Sequence, residues 1–300
     1  MPSRLRPALT AAPAAVAWLL ALGAPGAASA QAPRPIAPLD QLYARSLGVS
    51  AYRGMPLGND AIFYNAAGIA ARRAFNVEGG WLGLRVGDGF DGKYWGVSVV
   101  DSSTSEVAGG FAYSYVDALG YRTGGLNGGL TALAVAFPVS RGLFLGATVD
   151  YLRVFSDQGD VNAVNVSPAL FWQIGRLVGI GAAGYNVINT YHPTLSPIGL
   201  GVGVGIGDES ILRVGADWYR SWGEGNIRDV WSAGAEVYLF DVVTLRGGWE
   251  LDTQLDTNAW SAGAGFFVAP IGADVAYRGW FGSTTYRMLA ATIKIAVGGM

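Results

Sequence analysis

Short runs of alternating apolar and polar residues repeat through the C-terminal third of the chain. Within residues 211–218, Val214 and Trp218 fall on one face and Asp217 on the other, because successive side chains of a strand point to opposite sides. The same alternation recurs in residues 230–239, 243–250 and 257–268. The pattern predicts β-strands that are apolar on one face.

A tryptophan lies near one end of each of these runs, on the apolar face. If the runs form antiparallel strands, all these tryptophans lie at the same end of the sheet. Aromatic side chains collected at one level are typical of a membrane–water interface. The predicted aromatic girdle consists of Trp218, Trp231, Trp249 and Trp260.

Comparable runs extend upstream, and we count about fourteen strands between residues 75 and 297. Tight connections alternate with longer polar ones, as periplasmic turns and extracellular loops do in bacterial barrels. The longer connections are predicted at residues 156–160, 189–197, 219–228, 251–256 and 279–284. The sequence therefore predicts an all-β protein, a transmembrane antiparallel β-barrel whose even strand number closes the sheet.

Composition separates this barrel from a soluble β-sandwich with an aromatic core. Hydrophobic residues make up 51% of the chain and charged residues 14%, whereas ordinary soluble domains are about 25% charged. Glycine occupies 45 of 300 positions, a dilution that a soluble sandwich seldom tolerates. A net charge of −2 also argues against a nucleic-acid partner, which requires clustered Lys and Arg.

The N-terminus has the features of a secretory signal peptide. Arg4 and Arg6 precede an apolar run, and Ala28-Ser29-Ala30 supplies small residues for cleavage. A short membrane anchor is the weaker alternative, because the apolar run is brief. We expect a signal peptide over residues 1–30, a hatch-like segment over 31–72 and the barrel over 73–300, with the protein in contact with the lipid of the bacterial outer membrane.

Residues 48–70 resemble the N-terminal region of the FadL and PorV families of outer-membrane barrels. The shared features are a glycine-rich lead-in, an acidic-small-aromatic run and an Asn-Pro-Ala-Gly box. The box corresponds here to Asn65, Ala66, Ala67 and Gly68, with Ala66 in place of the proline. The closing strands, including residues 245–249 and 273–277, are similar to those of the PorV branch.

The resemblance implies two functions. A FadL-like protein is a passive channel for small hydrophobic compounds, in which the N-terminal segment sits in the barrel as a hatch and the ligand leaves sideways or through that hatch. A PorV-like protein is a non-transporting partner that binds secreted or secretion-system proteins through its extracellular loops. A purely structural barrel is the third alternative.

Charged residues occur at inward positions of the predicted strands. A tight turn around Asp241 would place Glu236 opposite Arg246, so an acid–base ladder across neighbouring strands is expected. These residues either neutralise one another and fill the lumen or line and gate a ligand path. The lumen candidates are Arg213, Asp217, Glu236, Arg246, Glu250, Asp274 and Arg278.

The sequence offers little for catalysis or for a cofactor. The single histidine, His192, stands beside Pro193 in a predicted extracellular loop, and the chain has no cysteine and no Gly-x-Ser-x-Gly motif. The alternating glycines of residues 199–207 lack the Lys-Ser/Thr of a phosphate loop and instead suit a strand between lumen and lipid. We therefore expect neither an enzyme, nor a metal site, nor a cofactor.

Overall fold

The computed structural model describes residues 43–86, 89–118, 126–156, 160–190, 197–208, 210–223, 226–240 and 242–297. The predicted signal peptide, residues 31–42 of the predicted hatch and His192 lie outside the described residues. Within the described ranges, no helix has both the length and the apolar character needed to cross a membrane.

Strands dominate the described chain, and they form one antiparallel sheet of 15 strands. The strands are β1 (Phe75–Val86), β2 (Gly89–Asp101), β3 (Ala108–Ala118), β4 (Leu126–Ser140), β5 (Leu143–Ser156), β6 (Val161–Ile174), β7 (Val178–Tyr185), β8 (Ile188–Asn189), β9 (Ile198–Asp208), β10 (Leu212–Gly223), β11 (Asn226–Leu239), β12 (Val243–Asp252), β13 (Thr257–Val268), β14 (Ile271–Trp280) and β15 (Ser283–Val297).

The sheet closes on itself. β1 pairs with β15, with Phe75 opposite Val297, and β5 pairs with β6, so no edge remains along the ring. Fourteen strands form this ring, and the two-residue β8 is an addition that pairs with β6. The predicted fold, a barrel of about fourteen antiparallel strands, is confirmed.

The strand predicted over residues 178–188 ends earlier, at Tyr185. Asn186 adopts a positive φ of 52°, and its backbone N–H donates to Ser167 Oγ at 3.1 Å. The chain therefore turns back along β6, where β8 forms opposite Asn165 and Val166. β7 itself pairs directly with β9.

The two ends of the barrel differ. The end that holds Phe75 and Val297, here called the terminal end, carries the connections after β2, β4, β6, β9, β11 and β13, all of them short except the first. The opposite end, here called the loop end, carries the connections after β1, β3, β5, β10, β12 and β14, and the chain from β7 to β9.

Two predicted long loops at the loop end are wrong. β10 continues to Gly223 and β11 begins at Asn226, so most of residues 219–228 belong to strands. Arg220 lies opposite Asp229 and forms an ion pair with it at 2.8 Å, which extends the pairing of β10 with β11 toward the loop end. The loop predicted over residues 279–284 is shorter for a similar reason, because β14 runs to Trp280 and β15 begins at Ser283.

Alternate residues point to the outside and to the lumen. On β4, Leu133 and Val135 are 57% and 53% exposed, whereas Ala132 and Ala134 are buried at 0% and 2%. Large apolar side chains therefore cover the outer surface, as a membrane-spanning barrel requires.

The predicted girdle residues all lie on this outer face. Trp218 is directly opposite Trp231, with ring centroids 6.1 Å apart, and Trp249 is opposite Trp260. Their place at a membrane boundary stays a prediction. The sequence argument overlooked Trp95, which is half exposed on β2 and carries the rings of Tyr113 and Tyr115 against it.

Residues 43–71, here called the hatch, lie inside the barrel. The hatch contains helix α1 (Ala44–Val49), the single turn α2 (Ala61–Tyr64) and a 3₁₀ helix (Ala66–Ala70). α1 packs against β11 to β15, and the 3₁₀ helix packs against β3 to β6. The hatch therefore reaches from one wall of the lumen to the other.

Candidate functional site in the lumen

Glycine forms the entire inner face of β9, and this face carries the hatch backbone. A Cβ atom on Gly203 or Gly205 would come within 2.6 Å of the backbone of Gly54. Gly54 is equally constrained, since its own Cβ would overlap the backbone of Val204. The glycine repeat thus lets two backbones pack directly, a close approach for which glycine is the suitable residue. The inner face of β9 consists of Gly199, Gly201, Gly203, Gly205 and Gly207.

Asp217 on β10 anchors the same part of the hatch. The backbone N–H groups of Tyr52 and Arg53 donate to Asp217 Oδ2 at 2.5 and 2.7 Å, and Arg53 Nη1 lies 3.5 Å from that oxygen. The guanidinium also lies over three tyrosine rings, which adds cation–π attraction. These rings belong to Tyr64, Tyr185 and Tyr219, at 5.8, 5.2 and 5.1 Å from the guanidinium carbon.

A second anchor is a chain of charges across four strands and the hatch. Arg45 of α1 donates through Nε and Nη2 to both carboxylate oxygens of Glu236, at 2.8 and 2.7 Å. Arg246 donates to the same carboxylate at 2.9 Å and also to Asp274. Lys294 Nζ completes the chain by pairing with Asp274 at 2.9 Å. The ladder therefore includes a hatch residue that the sequence argument did not anticipate.

The remaining lumen candidates divide between two places. Arg278 lies 3.4 Å from Glu250 and donates to Ser50 Oγ at 3.0 Å and to the carbonyl of Leu47 at 3.4 Å, so it binds the end of α1. Arg213 instead lines a cavity at the terminal end. Their role in ligand passage stays a prediction.

Asn65, the first residue of the predicted hatch motif, joins the hatch to the wall. Its Nδ2 donates to the carbonyl of Arg53 at 3.2 Å and to the carbonyl of Leu170 on β6 at 3.0 Å. Asn65 is 1% exposed, and these two bonds satisfy the side-chain NH2 group, which would otherwise be costly to bury.

The other three motif residues belong to the 3₁₀ helix. The backbone of Ala66 and Ala67 lies so close to β5 that a Cβ on Gly146 would fall 2.5 Å from the amide nitrogen of Ala67. Gly68 faces Pro56 within the hatch, where a Cβ would overlap the proline ring. Alanines on the facing strands make room for this helix. They are Ala108, Ala112, Ala132, Ala134, Ala136, Ala169 and Ala183.

On the loop-end side of the hatch, one wall of the lumen is apolar. Tyr43, Leu47 and Phe63 of the hatch pack against this wall. The apolar arc, as we call it, consists of two clusters. The first, which meets the hatch, contains Leu82, Leu84, Tyr94, Val116 and Met288 of β1 to β3 and β15, and the second contains Leu130, Leu152, Val154 and Ala163 of β4 to β6. The apolar arc was not predicted from the sequence. Strands such as β5, which has apolar residues on both faces near the loop end, nevertheless indicate an apolar inner wall.

The wall opposite the apolar arc is polar. Its inward residues near the loop end include Ser221, Arg228, Glu250, Asp252 and Thr257. Arg228 pairs with Asp252 at 2.6 Å, so charges on this wall are compensated. On the loop-end side of the hatch, the inner face of the barrel is consequently apolar on one side and polar on the other.

On the terminal-end side of the hatch lies a cavity of about 530 Å³. Its lining includes the cations Arg45 and Lys294 and the acids Asp60 and Glu78. Burial raises the pKa of Asp60, a hatch residue, to about 6. The hatch therefore separates a charged chamber at the terminal end from the apolar arc at the loop end.

Two neighbouring glycines of β12 provide a test of the hatch position. A Cβ on Gly248 would lie 2.5 Å from the Val49 carbonyl oxygen, whereas a Cβ on Gly247, on the outer face, would meet nothing closer than 4.0 Å. We expect Gly248→Val to destabilise the barrel by about 1–3 kcal/mol through overpacking. Gly247→Val is the matched control and should change stability little. Urea titration in detergent measures both, and equal effects would mean that α1 does not lie on Gly248.

Comparison with known proteins gives a fold. No family model and no curated protein sequence matches the chain. Among solved structures, the toluene transporter TbuX of Ralstonia pickettii is 15% identical, with a TM-score of 0.63 over 86% of this chain and 98% of its own. The toluene transporter TodX of P. putida is 12% identical, with a TM-score of 0.62 over 87% and 99%.

A FadL homologue of Pseudomonas aeruginosa is also 12% identical, with a TM-score of 0.62 over 85% of this chain and 98% of its own. The three structures are matched over nearly their full lengths, so the likeness extends to the whole barrel. At these identities the likeness concerns architecture alone. The chain therefore has the fold of FadL-like transporter barrels.

Proposed function

We propose that the protein is a passive channel of the bacterial outer membrane for small hydrophobic compounds, closed at rest by the hatch. The observation that carries this proposal is the apolar arc on the loop-end side of the hatch. Water-filled barrels line their lumen with polar residues instead. The toluene transporters TbuX and TodX, which share the fold, support the same substrate class.

The arc and the hatch have complementary tasks in this proposal. A hydrophobic compound that enters at the loop end exchanges water for the side chains of the arc, at about 25 cal/mol per Å² of apolar surface buried. The facing polar wall accommodates a polar group on the same molecule. Passage to the terminal end then requires the hatch to move, because its backbone fills the lumen between β9 and β5.

The alternative is a PorV-like partner that binds exported or secretion-system proteins through its loops. Such a protein has no use for an apolar lumen, so the arc favours the channel. Copurification separates the two: a stable complex with secreted proteins, together with unchanged uptake on gene deletion, supports the partner. Catalysis and a nucleic-acid partner are no part of the proposal.

Uptake by liposomes that carry the protein tests the channel. We expect labelled toluene or fatty acid to enter faster than into protein-free liposomes. Leu152→Asn, which places an amide in the apolar arc, should lower the apparent affinity roughly tenfold, since a buried leucine contributes about 1.5–3 kcal/mol. Ser221→Ala, a small change on the polar wall, is the control.

Both variants are first checked for heat-modifiable migration on gels, which reports an intact barrel. Uptake no faster than into empty liposomes would refute the channel. If the Leu152→Asn and Ser221→Ala variants take up the compound equally well, the protein is still a channel, but the apolar arc does not lie on the path of the compound.

A further inference from the structure

A separate group of polar side chains connects the hatch to β1 and β2. Asn59 Nδ2 donates to Ser98 Oγ at 2.8 Å, and Ser98 lies directly opposite Glu78 in the ladder. Glu78 Oε1 is 3.6 Å from the position that a Cβ on Gly58 would take, so its carboxylate faces the hatch. Asp60, which follows Asn59, and Glu78 both line the cavity at the terminal end, so an amide and two carboxylates lie in this region.

Two buried oxygens of this group, Asn59 Oδ1 and Asp60 Oδ1, lack hydrogen-bond partners among the described residues. Asn59 is 0% exposed and Asp60 2% exposed, and neither Oδ1 atom accepts a hydrogen bond within the described chain. Glu78 forms no ion pair with a described residue. In folded proteins an ordered water or an ion completes buried acceptors of this kind.

The cations nearest to these carboxylates have other partners. Arg45 lines the same cavity, but it donates to both oxygens of Glu236. Lys294 also lines the cavity, but its ammonium pairs with Asp274 at 2.9 Å. The negative charge of Asp60 and Glu78 therefore lacks a direct ion pair within the described chain.

We propose that Asn59, Asp60 and Glu78 bind a divalent cation, Ca²⁺, that ties the hatch to β1. All the donors are oxygens, the type that Ca²⁺ prefers, and two carboxylates balance its charge. Asp60 and Glu78 line the cavity at the terminal end, so the ion can enter from that side and keep water on its remaining coordination positions.

Calcium suits this site better than magnesium or zinc. Ca²⁺ accepts six to eight oxygens in irregular geometry, whereas Mg²⁺ requires a near-ideal octahedron. Structural zinc sites use cysteine or histidine, and the chain has no cysteine and one histidine. The expectation of no metal site rested on the lack of cysteine and the single histidine, and it did not consider a site made of oxygens alone. The site does not depend on which compound the barrel transports.

Equilibrium dialysis of the full protein in detergent with ⁴⁵Ca²⁺, after treatment with EDTA, tests the proposal. We expect about one Ca²⁺ per barrel with a Kd of about 10⁻⁴–10⁻³ M. The thermal unfolding midpoint should rise by about 1–5 °C in millimolar CaCl₂ relative to NaCl of equal ionic strength.

Glu78→Gln and Asp60→Asn, which keep the side-chain shapes, should each abolish both effects. Glu106→Gln changes an exposed carboxylate between β2 and β3 and is the matched control. Calcium binding that survives Glu78→Gln would overturn the site. A midpoint that rises on acidification but not with CaCl₂ would overturn it as well, because the two carboxyl groups would then hold a proton instead.

Discussion

Deletion of residues 43–71 is expected to raise the single-channel conductance of the barrel by on the order of tenfold or more. The hatch backbone packs directly on β9 near Gly203, on β11 near Gly234 and on β5 near Gly146, so it occupies much of the cross-section through which ions would pass. Without the hatch, a ring of fourteen strands encloses an open lumen. Recording in planar lipid bilayers measures the change.

A deletion of this size can also impair folding, so a second variant accompanies it. Arg45→Ala together with Asp217→Ala removes both hatch anchors and should produce frequent openings that the native protein lacks. Arg141→Ala, an exposed arginine in the turn between β4 and β5, is the control. Closed channels in a properly folded deletion variant would show that the hatch does not block the lumen.

Glu236→Ala is expected to lower the free energy of unfolding by about 3–5 kcal/mol, among the largest effects of any single substitution. Glu236 is 0% exposed and accepts hydrogen bonds from Arg45 and Arg246. Its removal leaves two buried guanidinium groups without their carboxylate. Urea titration of the protein in lipid vesicles measures the loss.

A double-mutant cycle isolates the pair. Glu236→Ala with Arg246→Ala should lower the free energy of unfolding by less than the sum of the two single substitutions. Each single change leaves a buried charge without its partner, and the second change removes that charge. Glu106→Ala should stay within about 0.5 kcal/mol of the native protein, as exposed substitutions do. Additive effects of the two lumen substitutions would mean that the ladder contributes no coupling energy.

The two predictions test different properties of the same arrangement. The ladder stabilises the barrel wall through Arg246 and Asp274, and it holds the hatch through Arg45. Glu236→Ala should therefore loosen the hatch as well as the wall. The interpretation that the charges only fill the lumen, and the interpretation that they control a path, are compatible once the hatch is part of the network.

The sequence predicted the barrel because strand alternation is a local property. Val214, Asp217 and Trp218 show by their spacing alone which face meets lipid, and each later strand repeats the pattern. The short connection between β11 and β12 likewise fixes the register of these two strands, since Glu236 and Arg246 are only ten positions apart. Strand ends were less accurate where pairs such as Arg220 and Asp229 extend a hairpin.

Tertiary structure decided everything that depends on the hatch. Arg45 binds Glu236 across 191 positions and Tyr52 binds Asp217 across 165, and no local pattern encodes such separations. From the sequence, the glycines of β9 indicate only that side chains are absent from one face of the strand. The fold shows that the backbone of Gly54 occupies the space that those side chains would take. The apolar arc likewise exists only after closure brings strands β1 to β6 beside β15. The sequence by itself determined the wall of this barrel, because side-chain alternation is local, whereas the contents of the lumen follow from contacts that form only when the ring closes.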